Sequence, residues 1–118
     1  MNDGIVGFVR NHRQDLFFGL IRMHVLLHAC HEPVFGLGMM RELAHHGYRI
    51  GPGTLYPLLH GLERAGLLKT LPGQAGGRAR RLYRITAAGR RALNRAKTKV
   101  DELYREMHEA QPRKLKLH

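Results

Sequence analysis

Three histidines, His24, His28 and His31, recur at i, i+4 and i+7, so one helical stripe would present all three, with Cys30 and Glu32 close by. Imidazoles at i and i+4 can chelate zinc or a related metal. The same stripe holds Leu20 and Leu27, which would set it against a core or a protein interface, where a hydrogen-bonded histidine row is purely structural. Cys30 has no second cysteine to pair with and lies in an apolar run where a thiol is usually inert. No phosphate-binding glycine loop, dinucleotide fingerprint, His-Glu-x-x-His run or paired-acid arrangement occurs, so the sequence offers no catalytic constellation and calls for no cofactor. An enzyme is not expected.

The cations carry more information. Twenty Lys and Arg against nine Asp and Glu give a net charge of +11, a field that favours polyanions, nucleic acid first. No acid occurs between Glu63 and Asp101, while ten cations lie from Lys69 to Lys99. A charged run can be mere solvated surface; a block this long and of one sign on a folded segment points to a nucleic-acid surface.

A chain of 118 residues allows one domain with an appended helix. No apolar run approaches membrane-spanning length, the first residues lack a signal-peptide layout, and one free cysteine fits a reducing cytoplasm. Residues 1–14 show no period and read as a flexible arm. From Asp15, a reasonable N-cap, "DLFFGLIRMHVLLHACHE" is apolar almost all round and predicts a buried helix ending before Pro33. A second helix is expected from about Leu37 to His46, with Leu37, Met39, Met40, Leu43 and Ala44 inward and Gly47 as its stop.

A third helix follows in "GPGTLYPLLHGLE", with Leu55, Leu58, Leu59 and Leu62 toward the core and Tyr56, Pro57, His60 and Arg64 outward. Pro57 raises a question of register. If Thr54 is the N-cap, the missing amide of Pro57 costs nothing; if Pro52 opens the helix, one bond is forfeited and a bend or tight first turn should result. The segments "LLKTLPG" and "RARRLYRI" predict a hairpin around a glycine-rich turn, with Tyr83 and Ile85 on one face and Arg81 on the side of Tyr83. The last helix starts at Thr86 as N-cap, and its Leu93, Ala96, Val100, Leu103 and Met107 form a heptad seam suited to a partner helix.

Helix, turn, helix, basic hairpin is the order of a winged helix-turn-helix, whose second helix of the turn enters the major groove while the hairpin reaches phosphates. The fold class is therefore mainly α with a small β-hairpin. Expected units are the arm 1–14, a winged helix-turn-helix 15–86, a long C-terminal dimerisation helix 87–111 and a frayed tail 112–118. Expected DNA contacts are Arg49, Gly53, Thr54, Tyr56, Pro57 and His60 around the third helix, and Arg78, Arg80 and Arg81 in the wing. Arg90 and Arg91 open the last helix and need do no more than hydrate it.

These residues resemble the PadR-type bacterial transcriptional regulators. The run from Pro52 to Leu59, "PGTLYPLL", is followed by Leu62-Glu63, and the wing motif Tyr-Arg-Leu-Thr-x-x-Gly stands as Tyr83, Arg84, Ile85, Thr86 and Gly89. The resemblance covers about residues 16–95. Leu37 and Gly38 stand where the family often has Tyr, and "RARRLY" replaces its usual wing run, with Ala79 losing a cation and Arg78 supplying one. A single helix after the wing resembles the short-tailed branch of the family. That resemblance implies a homodimer through the C-terminal helix with help from the first, repression at a double-stranded operator, and a small-molecule effector acting between these two helices. An inverted-repeat operator would suit such a dimer. Three other readings stand beside it: a metal-responsive regulator using His24, His28 and His31, a non-specific architectural DNA binder, and a winged-helix protein-interaction module.

Overall fold

The computed structural model describes residues 12–72, 80–111 and 113–116. Three helices come first: α1 (His12–His31), α2 (Gly36–His45) and α3 (Pro52–Arg64). A hairpin of β1 (Leu68–Thr70) and β2 (Tyr83–Ile85) follows, and α4 (Ala87–Met107) completes the order. Helix α1 begins at His12, so Asp15 lies in its first turn and is not its N-cap, and residues 12–14 belong to the helix rather than to an arm. An acid in a first turn favours the helix dipole wherever the cap falls. Residues 1–11, and Arg78 with most of the expected wing tip, lie outside the described residues, as do parts of the expected tail; residues 113–116 form neither helix nor strand.

Glycine ends both α2 and α3 in the same way. Gly47 and Gly66 take φ of 87° and 80°, a region that only glycine enters cheaply. In each case two amides turn back onto the last helical carbonyls: Gly47 N–H to Ala44 O and Tyr48 N–H to Leu43 O, then Gly66 N–H to Glu63 O and Leu67 N–H to Leu62 O. These paired bonds satisfy carbonyls that would otherwise be orphaned. Gly47 thus stops α2 as its sequence position suggested.

The hairpin is antiparallel, pairing Leu68 with Ile85, Lys69 with Arg84 and Thr70 with Tyr83. A third strand of one residue was not foreseen: Val34 N–H donates to Tyr83 O at 2.9 Å and Tyr83 N–H to Val34 O at 2.8 Å. No two-periodic run announces it, because the pairing needs only one residue beside Pro33. Tyr83 becomes the centre of the sheet and is fully buried at 0 % exposure. Burial pushes its phenol above the ordinary value, with the neighbouring Arg81 pulling the other way.

Ile21, Val25, Leu26 and Ala29 of α1 meet Met39 and Leu43 of α2, the four inward leucines of α3, and Leu68, Tyr83 and Ile85 in one core. Helix α1 is not buried all round as its composition suggested: Leu16, Phe17, Leu20 and Leu27 are exposed. Leu37 and Ala44, expected inward on α2, are exposed too, because the ten-residue helix turns Met39 and Leu43 to the core instead.

Thr86 fixes the start of α4. Its Oγ1 accepts from Gly89 N–H at 2.9 Å and donates to Gly66 O at 2.5 Å, so one hydroxyl caps α4 and ties it to the end of α3. Gly89 lies against the Leu67 carbonyl and the Ile85 side chain, leaving no room for a Cβ. The Thr-x-x-Gly signature is thereby a packing rule: cap, then close approach. Arg90 is also engaged, donating from Nη1 to Cys30 Sγ at 3.0 Å and from Nη2 to Cys30 O at 3.4 Å. It joins α4 to α1, a task beyond the hydration expected of it.

Candidate nucleic-acid interface

The exposed face of α3 begins where the chain turns into the helix. Gly51 is the N-cap, extended at φ −101° and ψ −176°, and Pro52 is the first helical residue. Thr54 is thus the third helical residue and not the cap. Gly51 O accepts from both Thr54 N–H at 3.1 Å and Leu55 N–H at 3.0 Å, a tightened first turn. This is the second of the two registers open to Pro57: the proline lies inside the helix, gives up one bond, and is exposed on the outer face.

Pro52 has no amide and Thr54 has already bonded back, so Gly53 alone is left to offer a first-turn N–H. A Cβ at Gly51 or at Gly53 would meet nothing within 4 Å. The fold itself would therefore accept a side chain at either position. Bare backbone there lets a partner come close from outside, and a helix start suits a phosphate.

Around this start, Thr54, Pro57 and Arg64 are exposed and His60 is half-buried, while Arg49 is exposed just ahead of the helix. Arg49 and Thr54 line one cleft with Gly51. Tyr56 departs from its expected outward position: it is only 5 % exposed, its ring and hydroxyl packed against Gly36 of α2. Helix α3 buries a face wide enough to take Tyr56 beside Leu55 and Leu59, since leucine spacing alone does not show how far an apolar stripe extends. Its expected outward orientation is corrected: the side chain packs inside the domain.

The hairpin carries further exposed charge. Arg80 and Arg81 are exposed, as are Lys69 and Arg84, and among the described residues none of the four is in an ion pair. Lys69 and Arg84 stand directly opposite one another across the ladder. Like charges so placed oppose strand pairing, so the pair costs the fold something and suits an anionic partner. Neither was among the expected contacts, because the register that sets them opposite one another is a property of the folded hairpin. Glu63, which could have neutralised them, instead accepts from Thr70 Oγ1 at 2.6 Å.

The seam on α4 divides in two. Leu93 is buried against the protomer's own core and Ala96 is half-buried, while Val100, Leu103 and Met107 are exposed at 39 %, 55 % and 69 %. Tyr104 joins them, its ring stacked on His108 at 4.2 Å. Between α1 and α4 runs a groove of about 550 Å³, floored by Leu20, Met23, Leu27 and Val100 and edged by Lys97 and His31.

The three histidines do not act together. His28 Nε2 lies 3.4 Å from Glu42 Oε2 and His24 stacks on His46 at 4.5 Å, while His31 is exposed. Among the described residues no three His, Cys, Asp or Glu side chains form a set that could hold a metal ion. The packing of α1 on α2 turns His24 and His28 toward Glu42, so the i, i+4, i+7 row does not make a chelating triad.

Three helices, a cationic hairpin and a long trailing helix with an uncovered apolar edge define a winged helix-turn-helix of the regulator class. The match to known proteins is more particular. The model of the transcriptional regulator PadR-like family fits residues 25–95, and the chain belongs to that family. Transcriptional regulator Rv3488 of Mycobacterium tuberculosis (strain ATCC 25618 / H37Rv) is 49 % identical over 87 residues, covering 74 % of this chain and 81 % of that protein. A PadR family transcriptional regulator from Eggerthella lenta DSM 2243 superposes with a TM-score of 0.68 at 32 % identity, over 92 % of this chain and 96 % of the other. A PadR-like transcription factor from Bacteroides fragilis gives 0.69 at 25 % identity, over 81 % and 94 %. Among the described residues no helix is long and apolar enough to cross a membrane.

Proposed function

We propose that the chain is an effector-responsive repressor that binds an inverted-repeat operator in the cytoplasm as a homodimer. Each α3 enters a major groove with Thr54, Pro57 and His60 toward the bases, and the two grooves lie about one helical turn, ~34 Å, apart. Gly53 and Arg49 approach the backbone at the helix start, while Arg80 and Arg81 of the wing, with Arg78 beyond the described residues, neutralise phosphates. Lys69 and Arg84 add to that field. The protomers join along Val100, Leu103 and Met107, with Leu20 and Leu27 of α1 contributing, and an effector enters the α1–α4 groove. Catalysis has no part in this reading.

The observation that carries it is the open space at Gly51 and Gly53, set at the start of the exposed face of a helix whose other face is core. A domain built only to meet an acidic protein has no use for bare backbone at a helix start.

The test is binding to a duplex from the protein's own promoter and to a scrambled duplex of equal length, across a salt series. Specific affinity should exceed non-specific affinity by ~10³ or more at physiological salt. A ratio near one would leave only the architectural reading.

A further inference from the structure

One cluster of titratable groups takes no part in DNA binding or dimerisation. It lies at the junction of α1 and α2. The ring of His24 stacks on that of His46 at 4.5 Å, with an interplanar angle of 32°, and meets Tyr48 edge-on at 5.7 Å. One turn along α1, His28 Nε2 lies 3.4 Å from Glu42 Oε2. His46 Nε2 lies 3.1 Å from the same oxygen, and His45 Nδ1 lies 4.0 Å from Oε1. Three imidazoles thus share a single carboxylate, and the fourth, His24, stacks on one of them. From the other side, Lys97 of α4 lines the groove that His24 also lines.

Charge counting decides how this junction responds to acid. Glu42 is the carboxylate that His28, His45 and His46 already share. A proton on His24 gains no carboxylate of its own: it would face the ring of His46 on which it stacks, with His28 one turn along α1 adding repulsion. We propose that the α1–α2 junction is an acid-sensitive latch: protonation of His24 drives it from His46, parts the two helices and loosens the helix-turn-helix from the helices that carry the dimer face.

Burial first, then His46 and His28, holds His24 below its ordinary value of 6.5, with Glu42 opposing. For a histidine depressed in the fold, the stabilisation is full above the unfolded value and is lost as pH falls through the folded one. The window therefore opens just below pH 6.5. Glu42 is itself held below its ordinary 4.5, by the hydrogen bond with His46 first and against desolvation. It remains ionised throughout that window and is lost only below it.

The latch is tested by thermal unfolding of the intact chain at constant ionic strength, a readout that needs no DNA and does not depend on the operator reading. From about pH 7.5 to about pH 5.5 the wild type should lose on the order of 4 °C in Tm, and His24→Gln should at least halve that loss. Equal losses in the two proteins would overturn the proposal. Should the variant not fold, an NMR titration of the wild-type imidazoles decides. His24 should take its proton at a midpoint below 6.5; a midpoint at or above that value removes the latch.

Discussion

The hydroxyl end of Tyr56 in α3 fills the space that a side chain at Gly36 of α2 would need. The first helix of the turn is thereby held to the second through a glycine and an aromatic ring, and both residues are buried. Gly36→Ala should push the ring off its seat, an overpacking cost of ~1–3 kcal/mol, visible as a lower urea midpoint with an unchanged slope. Tyr56→Phe keeps the ring on its seat against Gly36 and should leave operator affinity near wild type. A large affinity loss in Tyr56→Phe, with stability intact, would return Tyr56 to the DNA face.

Thr86 and Gly89 form a second pairing of cap and close approach. Removing the hydroxyl in Thr86→Ala frees Gly89 N–H and Gly66 O together, and should cost ~1–2 kcal/mol. Thr86→Ser should recover most of it. Gly89→Ala is harsher, because the atom it meets is the Leu67 backbone carbonyl, which cannot rotate away as a side chain would. Equilibrium unfolding of the three variants should rank them serine, alanine at 86, alanine at 89; an innocuous Gly89→Ala would show that α4 can shift on the sheet.

These cases show what the sequence could and could not disclose. Thr86 and Gly89, Gly47, and the inward leucines of α3 were legible because each obeys a local rule of capping or period. Tyr56 was not, since whether a residue at the margin of an apolar stripe is buried depends on what faces it, here a glycine twenty positions earlier. The Val34 strand escaped for a similar reason: a one-residue bridge has no periodicity. Asp15 has the residue type of a cap, but an acid serves a first turn as well. His24 and His28 had the spacing of a chelate, but only the crossing of α1 and α2 shows that their partner is Glu42. For Pro57 the sequence supplied two registers, and the choice between them rested on hydrogen bonds of Gly51 that no residue type dictates.

The division of labour between helix and wing has a thermodynamic signature. Arg80→Ala and Arg81→Ala each remove a phosphate neutraliser, so each should weaken every duplex and reduce the slope of log K against log salt by about 0.9. Lys69→Ala should do likewise and, by relieving its pairing with Arg84, leave the fold as stable or slightly more so. His60→Ala should leave the salt slope alone and change the preference between operator and mismatched sites, each mismatch counting ~1–3 kcal/mol. Electrophoretic or anisotropy titrations at several salt concentrations measure both quantities. Identical slopes for Arg80→Ala and His60→Ala would undo the assignment.

The seam of α4 separates folding from association, since Leu93 is inside the protomer core and Leu103 is not. Leu93→Ala should lower unfolding free energy by ~2–5 kcal/mol, as for other buried leucines. Leu103→Glu should barely disturb the protomer, because its side chain is 55 % exposed there. In a dimer it would bring a carboxylate into an apolar seam beside its symmetry mate. Sedimentation of Leu103→Glu should therefore show monomer at concentrations where the wild type is dimeric. Operator affinity should fall with it, because each half-site then binds without the effective concentration its partner supplied. The effect should vanish on a duplex carrying a single half-site, where wild type and variant bind alike. A Leu103→Glu protein that remains dimeric would place the interface elsewhere, on the exposed edge of α1 formed by Leu16 and Leu20.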